Sequence, residues 1–524
     1  MASRPSVQAA LSHVERYSAG AGFSPRSSLI EYQAERAVAL AEKLSVSGAV
    51  VLDDPVGTGK TAVSLVTAEL LLSWGKVDRI LVIAPNRTVK RLWSDRAQYL
   101  DLVGRVQIQF KTSRKLPASR PSLARRKRSL IIIDEAHRDL QKEDNNAYRW
   151  VAWHAADAHV LLVTATPFQL EARGLTTMLS VPEYEAQSGF KKRVNADPII
   201  AYASAVAEFL VAEHDSDPTT TEEKAQAKID ASKEAAQKAL DPFFIPRFRR
   251  KNIGLEESPS IPTAAAISVG EDWMRFYHLL RVLPELPRLH DLQDGTQSSD
   301  SYQRMLLSSH QAVVHHKAFD DFRQWAAGPT APKSARDLLA RVQARLLNPD
   351  PLTHPKVAHT ARWVADKLRA NRHVLVFCVY SKTQPALADA IQRECKGLYR
   401  VTSPDDANEA RGHKADGFGS PTSPDNPPMA MVVRDRLSES IDLDGGNPCV
   451  AHHDLVWNPV RWEQRMGRVI RASSDFAPVA PRDILVSVLP VATDTRLLLT
   501  MTKRRELSEE VMRMASLVGD HEEE

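Results

Sequence analysis

Short apolar runs alternate with stretches of helical period in two parts of the chain, at about residues 30–182 and 355–500. Most runs are rich in Val, Ile and Leu on both alternating faces, which is typical of parallel strands covered by helices on either side. The predicted strands are residues 48–52, 79–84, 106–110, 129–133 and 160–164 in the first part, and 373–379, 429–433, 449–455 and 482–489 in the second. The pattern therefore predicts an α/β protein with two parallel-sheet units of similar size.

The sequence between these units differs in composition and in hydrophobic period. Residues 208–240 are rich in Ala, Lys, Glu and Asp, which predicts an exposed helix or a flexible linker. Residues 260–328 return to a helical period, whereas the turn-rich residues 403–428 predict a surface loop. We expect an N-terminal extension (1–28), a first α/β domain (29–185), a mainly helical insertion (186–350), a second α/β domain (351–500), and a C-terminal helix with an acidic tail (501–524).

Composition narrows the class of protein. Hydrophobic residues at 43% and charged residues at 26% are ordinary for a globular protein. No apolar stretch approaches the roughly 20 residues of a membrane helix, and the N-terminus lacks an apolar signal core, so we expect neither a membrane partner nor export. Cys378, Cys395 and Cys449 are too far apart for a disulfide framework or a zinc knuckle, which favours a reducing cytoplasm.

The stretch DDPVGTGKT, residues 53–61, lies between a predicted strand and a stretch of helical period. A phosphate-binding loop needs small residues whose backbone N–H groups converge on oxygens, followed by a lysine and a hydroxyl. Gly57, Gly59, Lys60 and Thr61 supply these groups at the required spacing. We therefore expect ATP here, with Lys60 on the β- and γ-phosphates and Thr61 on Mg²⁺. Asp54 stands where the usual pattern has its first glycine.

A second candidate site element is SLIIIDEAH, residues 129–137, a buried strand that ends in two acids. Adjacent carboxylates at the end of an apolar strand are a costly place for charge unless they have a function. We expect Asp134 to hold Mg²⁺ through water and Glu135 to polarise the attacking water.

A basic run occupies residues 111–128, which carry eight cations and no acid. Such a run can lie along nucleic-acid phosphates, or it can be a solvated loop. The candidate nucleic-acid contacts are Arg114, Lys115, Arg125, Arg126, Lys127 and Arg128, with Arg249 and Arg250 of a second, weaker basic cluster.

Residues 456–471 read VWNPVRWEQRMGRVIR. Hydrolysis of ATP needs positive charge where the γ-phosphate leaves, and an arginine from another lobe can supply it. On a helix, Gln464, Arg468 and Arg471 fall near one face, because they are spaced by four and seven positions.

Together these motifs resemble those of superfamily 2 helicases and translocases, in the form typical of Swi/Snf-type ATPases. The resemblance rests on DDPVGTGKT, on DEAH at 134–137, on TATP at 164–167 and on QRMGRVIR at 464–471. It covers about residues 25–180 and 355–515. The EQRMGR form at 463–468 and the stretch RMLLSSHQA at 304–312 are similar to those of the RapA-like and DISARM-type branch. It implies two tandem RecA-like domains with a helical insertion between them, and ATP with Mg²⁺ in their cleft.

The resemblance also implies roles for single residues. Asp54 is a variant within the loop, Gln33 reads the adenine ring, and Thr58 and Gln464 belong to the nucleotide site. Arg468 and Arg471 would approach the γ-phosphate, with Arg471 as the arginine finger. The residues implied to couple hydrolysis to movement are His137, Thr164, Thr166, Ser438 and Glu439.

The leading hypothesis is an ATP- and Mg²⁺-dependent translocase on double-stranded DNA that displaces or remodels bound complexes. The resemblance places it in the bacterial cytoplasm, with protein partners in a phage-defence or transcription-related complex. Two alternatives stay open: a helicase that separates strands, and an ATP-switched binding subunit that recruits a nuclease or another effector. A small-molecule P-loop kinase would leave the second unit without a role.

Overall fold

The computed structural model describes residues 31–55, 57–99, 107–116, 128–155, 158–165, 167–168, 172–181, 194–212, 219–245, 265–286, 300–347, 350–435, 443, 446–456, 458–469 and 483–516. These residues form two parallel sheets with surrounding helices. The predicted α/β fold class is confirmed.

The first sheet has the strand order β1-β5-β4-β2-β3, and all its pairs are parallel. Its strands are β1 (Ala49–Leu52), β2 (Arg79–Ala84), β3 (Gln107–Thr112), β4 (Ser129–Asp134) and β5 (Ala158–Val163). Its helices are α1 (Glu31–Ser47), α2 (Lys60–Ser73), α3 (Arg87–Tyr99), α4 (Ala136–Asp139), α5 (Asn146–Ala155) and α6 (Ala172–Ser180). Because successive strand residues point to opposite faces, Val51 and Ile131 enter one core while Val50 and Ile132 enter the other.

The second sheet has the order β6-β11-β10-β7-β9-β8 and is also parallel. Its strands are β6 (Ala265–Ala266), β7 (Val374–Cys378), β8 (Arg400–Thr402), β9 (Met429–Arg434), β10 (Cys449–His452) and β11 (Ile484–Val488). The associated helices are α14 (Pro355–Arg369), α15 (Thr383–Glu394), α16 (Ala407–His413), α17 (Pro459–Met466) and α18 (Ala492–Ser516). Both faces of this sheet are also buried, with Phe377 in one core and Val376 in the other.

The helices between the sheets divide into two groups. Helices α7 (Ala196–Ala212) and α8 (Thr219–Leu240) pack on the first sheet, and residues 243–244 then cover the outer edge of β1, where Val51 N donates to the carbonyl oxygen of Phe243 at 2.7 Å. The remaining helices share a core with Leu489 and Val491 beside the second sheet. They are α9 (Glu271–Val282), α10 (Asp300–Ser308), α11 (His310–Val314), α12 (Lys317–Ala327) and α13 (Lys333–Leu346).

The structure corrects two expectations from the sequence. Residues 219–240 form a helix whose described side chains are mostly exposed, as one of the two alternatives predicted, but Ile229, Ala236 and Leu240 are buried in the core of the first sheet. Residues 403–428 are not only a loop, because they contain α16 and a further helical turn that buries Phe418.

A buried polar joint connects α10 and α11 to the second sheet. Ser308 Oγ donates to Asp454 Oδ2 at 3.0 Å, and both Ser308 and Ser309 lie 2.8 Å from the hydroxyl of Thr383. His453 Nε2 lies 2.9 Å from the carbonyl oxygen of Ser308. Because all these groups are buried and hydrogen-bonded, they fix the orientation of the helices on the sheet.

Helix α18 contacts both halves of the molecule. Met501 is buried in the core of the second sheet and Val511 in the core of the first. Ser508 Oγ donates to the carbonyl oxygen of Phe168 at 3.0 Å. In the described part of the chain, no helix combines the length and the apolar character that crossing a membrane requires.

Candidate functional site

The phosphate loop connects β1 to α2, and its two glycines have positive φ angles. Gly57 has φ 87° and Gly59 has φ 88°, in the left-handed region that favours glycine. A Cβ atom on Gly59 would lie 2.2 Å from Gln33 Nε2, so the end of the Gln33 side chain would have to shift. The loop therefore requires glycine for its backbone angles.

Lys60 is the first residue of α2, and its ammonium group folds back on the loop. Its Nζ donates to the carbonyl oxygens of Asp54 at 2.9 Å and Pro55 at 3.0 Å. Thr61 follows in the first turn and is half-buried. A phosphate group entering the loop would replace these carbonyls as the partner of the Lys60 ammonium.

Helix α1 holds the phosphate loop through two side-chain hydrogen bonds. Tyr32 Oη donates to the carbonyl oxygen of Thr58, and Gln33 Nε2 donates to the same atom at 2.9 Å. Gln33 was predicted to read adenine; here its amide supports the backbone of the loop. Thr58 is itself buried, and its hydroxyl donates to the carbonyl oxygen of Pro55 at 2.7 Å.

Asp54 and Arg36 form a buried ion pair beneath the loop. Arg36 is 3% exposed and Asp54 is 0% exposed. Two guanidinium nitrogens reach the two carboxylate oxygens, at 2.6 and 3.1 Å, and Asp53 lies 3.7 Å from the same guanidinium. The carboxylate of Asp54 thus anchors the loop to α1. Sequence reasoning missed Arg36, although its spacing from Tyr32 and Gln33 on one helical face was a usable signal.

Asp134 ends β4 and has both carboxylate oxygens hydrogen-bonded. Trp93 Nε1 donates to Oδ2 at 2.7 Å, and the backbone N–H of Glu135 donates to Oδ1 at 3.0 Å. Burial, followed by repulsion from Glu135, raises the pKa of Asp134 well above its ordinary value. The attraction of Lys60 and the bond from Trp93 oppose this rise.

Glu135 lies at a strained point of the backbone, with φ 51° in a residue other than glycine. Its Oε2 lies 3.5 Å from His137 Nδ1, and the same nitrogen lies 2.7 Å from the hydroxyl of Thr164 at the end of β5. Burial lowers the pKa of His137 to about 4, so the ring is neutral near pH 7. The structure thus brings Glu135, His137 and Thr164 into one chain of contacts.

The half of the molecule that is built on the first sheet, here called the first lobe, has residues that fit a nucleotide with a divalent cation. The half built on the second sheet is the second lobe. Two glycine turns precede Lys60, as a phosphate-binding loop requires, and the two adjacent acids repel each other unless a cation neutralises them. Lys60 and the loop would hold phosphates, while Thr61 and Asp134 would hold Mg²⁺.

In the second lobe, α17 carries Gln464, which is half-buried, and Arg468 follows the helix. The backbone N–H of Leu443 donates to the carbonyl oxygen of Arg468 at 2.8 Å, so the chain at Leu443 lies against the QRMGRVIR stretch. Sequence reasoning missed Arg465, a buried arginine that bonds Asp435 Oδ1 at 2.7 Å.

Several predicted site residues lie outside the residues that the structure describes. They are Thr166, Ser438, Glu439, Arg471, Arg125, Arg126, Lys127, Arg249 and Arg250.

The structure separates the described members of the basic run. Arg114 and Lys115 are exposed directly after β3, at the carboxyl edge of the first sheet. Arg128 precedes β4 at the amino edge, where it forms a two-bond ion pair with Asp78 at 2.9 and 3.2 Å. Because a six-residue strand spans about 20 Å, Arg128 does not share a surface with Arg114 and Lys115.

Comparisons with known proteins give three matches. A family model of the res subunit of type III restriction enzymes matches residues 26–103. An uncharacterized ATP-dependent helicase of Bacillus subtilis (strain 168), YqhH, is 24% identical over 478 residues, which cover 86% of this chain and 74% of that protein. The solved Sulfolobus solfataricus SWI2/SNF2 ATPase core in complex with dsDNA is 15% identical, with a TM-score of 0.33 over 94% of each chain. The chain is thus similar along most of its length to an ATP-dependent helicase, and the matched restriction-enzyme segment contains its phosphate loop.

Proposed function

We propose that the chain is an ATP- and Mg²⁺-dependent translocase that moves along double-stranded DNA and displaces or remodels bound complexes. The observation that carries the proposal is the convergence at the carboxyl edge of the first sheet. There Lys60, at the loop, acts electrostatically on Asp134, and exposed cations occupy the same edge. A motor on nucleic acid needs both features together.

In this proposal each residue of the first lobe has one task. Lys60 gives up the carbonyl oxygens of its own loop and binds phosphate oxygens. Thr61 and Asp134 hold Mg²⁺, which when bound neutralises charge on the transferring phosphoryl group. Glu135 orients and polarises water, and its contact with His137 and Thr164 links it to the end of β5. Arg468 and Arg471 approach from the second lobe, with Arg471 as the arginine finger.

The proposed DNA contacts include residues that the sequence did not single out. Ala84 of β2 pairs with Thr112 of β3, so the segments that follow the two strands are neighbours. Ser113 Oγ donates to the carbonyl oxygen of Pro85 at 3.5 Å, and α3 begins just beyond. Among the described residues, the cations that follow β2 and β3 here include Arg87, Lys90, Arg114 and Lys115. Contacts of this kind reach phosphates, so we expect little sequence preference and a steep loss of binding with salt.

Two variants test the ATPase assignment. Glu135→Gln keeps the size of the side chain but removes the charge that polarises water, so hydrolysis is lost while ATP binding persists. Lys60→Ala weakens ATP binding itself. Full turnover in either variant would refute the roles proposed here.

Movement along DNA is tested by displacement of the third strand from a triplex. The expected result is ATP-dependent displacement that Glu135→Gln abolishes. ATP turnover that duplex DNA does not change would instead favour a switch-like binding subunit.

Strand separation is the second candidate, because the Bacillus subtilis relative bears the designation ATP-dependent helicase. A forked duplex assayed beside the triplex distinguishes the two functions: unwinding of the fork would establish a helicase.

The RapA-like and DISARM-type form of the motifs, and with it a protein partner in a phage-defence or transcription-related complex, stays a prediction from residues 304–312 and 463–471.

A further inference from the structure

Trp93 connects α3 to the carboxylate at the end of β4. The indole is 1% exposed and lies in the core between the first sheet and its helices. Its N–H donates to Asp134 Oδ2 at 2.7 Å, across 41 residues of sequence. Asp134 Oδ1 is held separately by the backbone N–H of Glu135 at 3.0 Å.

We infer that Trp93 is a positioning residue, whose indole N–H fixes the carboxylate of Asp134 in the orientation that holds the divalent cation. This inference rests on the proposed function, in which Asp134 holds Mg²⁺. Trp93 of α3 would thus support the metal site from outside the strand that carries Asp134.

The geometry gives the reason why one bond is not enough. With only the Glu135 N–H on Oδ1, the carboxylate could still rotate about its last side-chain torsion, which is a soft one. A second donor on Oδ2 removes that freedom. Helix α3 contacts β2, β3 and α2, so the donor is attached to a rigid part of the lobe.

A bond to a charged acceptor is also stronger than a bond between neutral groups. Donors that hold a metal-ligating carboxylate commonly change metal affinity by about 10- to 100-fold when they are removed. An indole that served only to fill the core would have no such effect. The two interpretations therefore differ in a measurable quantity.

The chain offers a matched control for this measurement. Trp74 packs against the same core, and its indole N–H has no hydrogen-bond partner among the described residues. Trp93→Phe removes packing volume and a bonded N–H, whereas Trp74→Phe removes similar volume and an N–H that is not bonded. A difference between the two variants reports the hydrogen bond.

The experiment titrates Mn²⁺ into the full chain with a non-hydrolysable ATP analogue and measures free Mn²⁺ by electron paramagnetic resonance. We expect Trp93→Phe to weaken Mn²⁺ binding at least about tenfold, and Trp74→Phe to leave it within about twofold of the wild type. Metal-free binding of the analogue should be equal in all three proteins.

Equal Mn²⁺ affinity in the wild type and Trp93→Phe overturns the inference, and so does an equal loss in Trp74→Phe. If the wild type binds no Mn²⁺ with the analogue, the proposed function itself fails. Should Trp93→Phe not fold, benzothiophene in place of the indole at position 93 alone keeps the shape, lacks the N–H, and must give the same loss of Mn²⁺ affinity.

Discussion

The buried pair of Arg36 and Asp54 can be tested by removing one charge at a time. Arg36→Met keeps most of the side-chain volume but leaves the Asp54 carboxylate, 0% exposed, without the cation that contacts it at 2.6 and 3.1 Å. Loss of one partner of a buried pair costs about 3–5 kcal/mol. We expect a decrease of this size in the free energy of unfolding, measured by urea denaturation.

The double variant Arg36→Met/Asp54→Asn separates the pair from the packing around it. With both charges gone, no charge from this pair is buried alone, so the double variant should be more stable than the sum of the single changes predicts. We expect a coupling free energy of at least about 1.5 kcal/mol. Arg91→Met is the control, because Arg91 is 82% exposed in its pair with Asp95 and should change stability by less than about 0.5 kcal/mol.

The affinity for nucleotide should also depend on the pair of Arg36 and Asp54. The carbonyl oxygen of Asp54 accepts from Lys60 at 2.9 Å, so loss of the anchor lets the loop move away from α1. Binding of a fluorescent ATP analogue should therefore weaken in Arg36→Met under conditions where the protein is still folded. Purely additive free energies, or unchanged nucleotide affinity in a destabilised Arg36→Met protein, would refute this account of Asp54.

Three further predictions concern other parts of the molecule. Thr164→Val removes the hydroxyl 2.7 Å from His137, and we expect slower ATP hydrolysis with unchanged ATP affinity; an unchanged turnover number would argue against the link. Arg114→Ala should lower affinity for duplex DNA and flatten its dependence on salt, whereas Arg128→Ala, at the opposite edge, should change neither; equal effects would contradict the separation of the two edges. Burial lowers the pKa of His453 to about 4 from 6.5. As pH falls through 6.5, the unfolded chain therefore takes up a proton before the folded protein does. By pH 5.5 this histidine alone should lower the free energy of unfolding by about 1.4 kcal/mol. Urea denaturation at pH 7.5 and 5.5 should show this loss, and the loss should shrink in His453→Gln; a loss unaltered in His453→Gln would contradict it.

The strands were predictable because both sheets are buried on both faces. A strand such as β4, SLIIID, leaves no ambiguity when every residue but the last is buried. Strands β6 and β8 have no comparable signal in the sequence. With two and three residues, these edge strands are too short to show a period.

The buried face of α8 was not predicted for a different reason. Of its four buried residues among those described, Ala225, Ile229, Ala236 and Leu240, two are alanines. Alanine gives a weak hydrophobic signal, yet it allows a close approach to α7.

The phosphate loop and the acid pair were predictable because their chemistry needs fixed local spacing. Their supports were not, because they come from distant positions. Arg36 lies 18 residues from Asp54, and Trp93 lies 41 residues from Asp134. Only the packing of α1 and α3 against the first sheet brings these pairs together.

The division of the basic run also follows from topology. Strands β3 and β4 run in the same direction, so the chain leaves one edge of the sheet and must return to the opposite edge before β4 begins. Residues 111–128 are continuous in sequence, but their ends cannot be neighbours in space.

Helix α18 has a mechanical consequence. Met501 and Val511 are anchored in different halves of the molecule, and the helix between them rises about 15 Å. Because a helix is stiff over this length, turning one half by roughly 10° about Met501 would swing Val511 by about 2.6 Å, well beyond the gap that close-packed side chains tolerate. The helix therefore couples the two halves. If they rotate relative to each other, either the rotation axis passes near Val511 or the side chain of Val511 leaves the core of the first sheet.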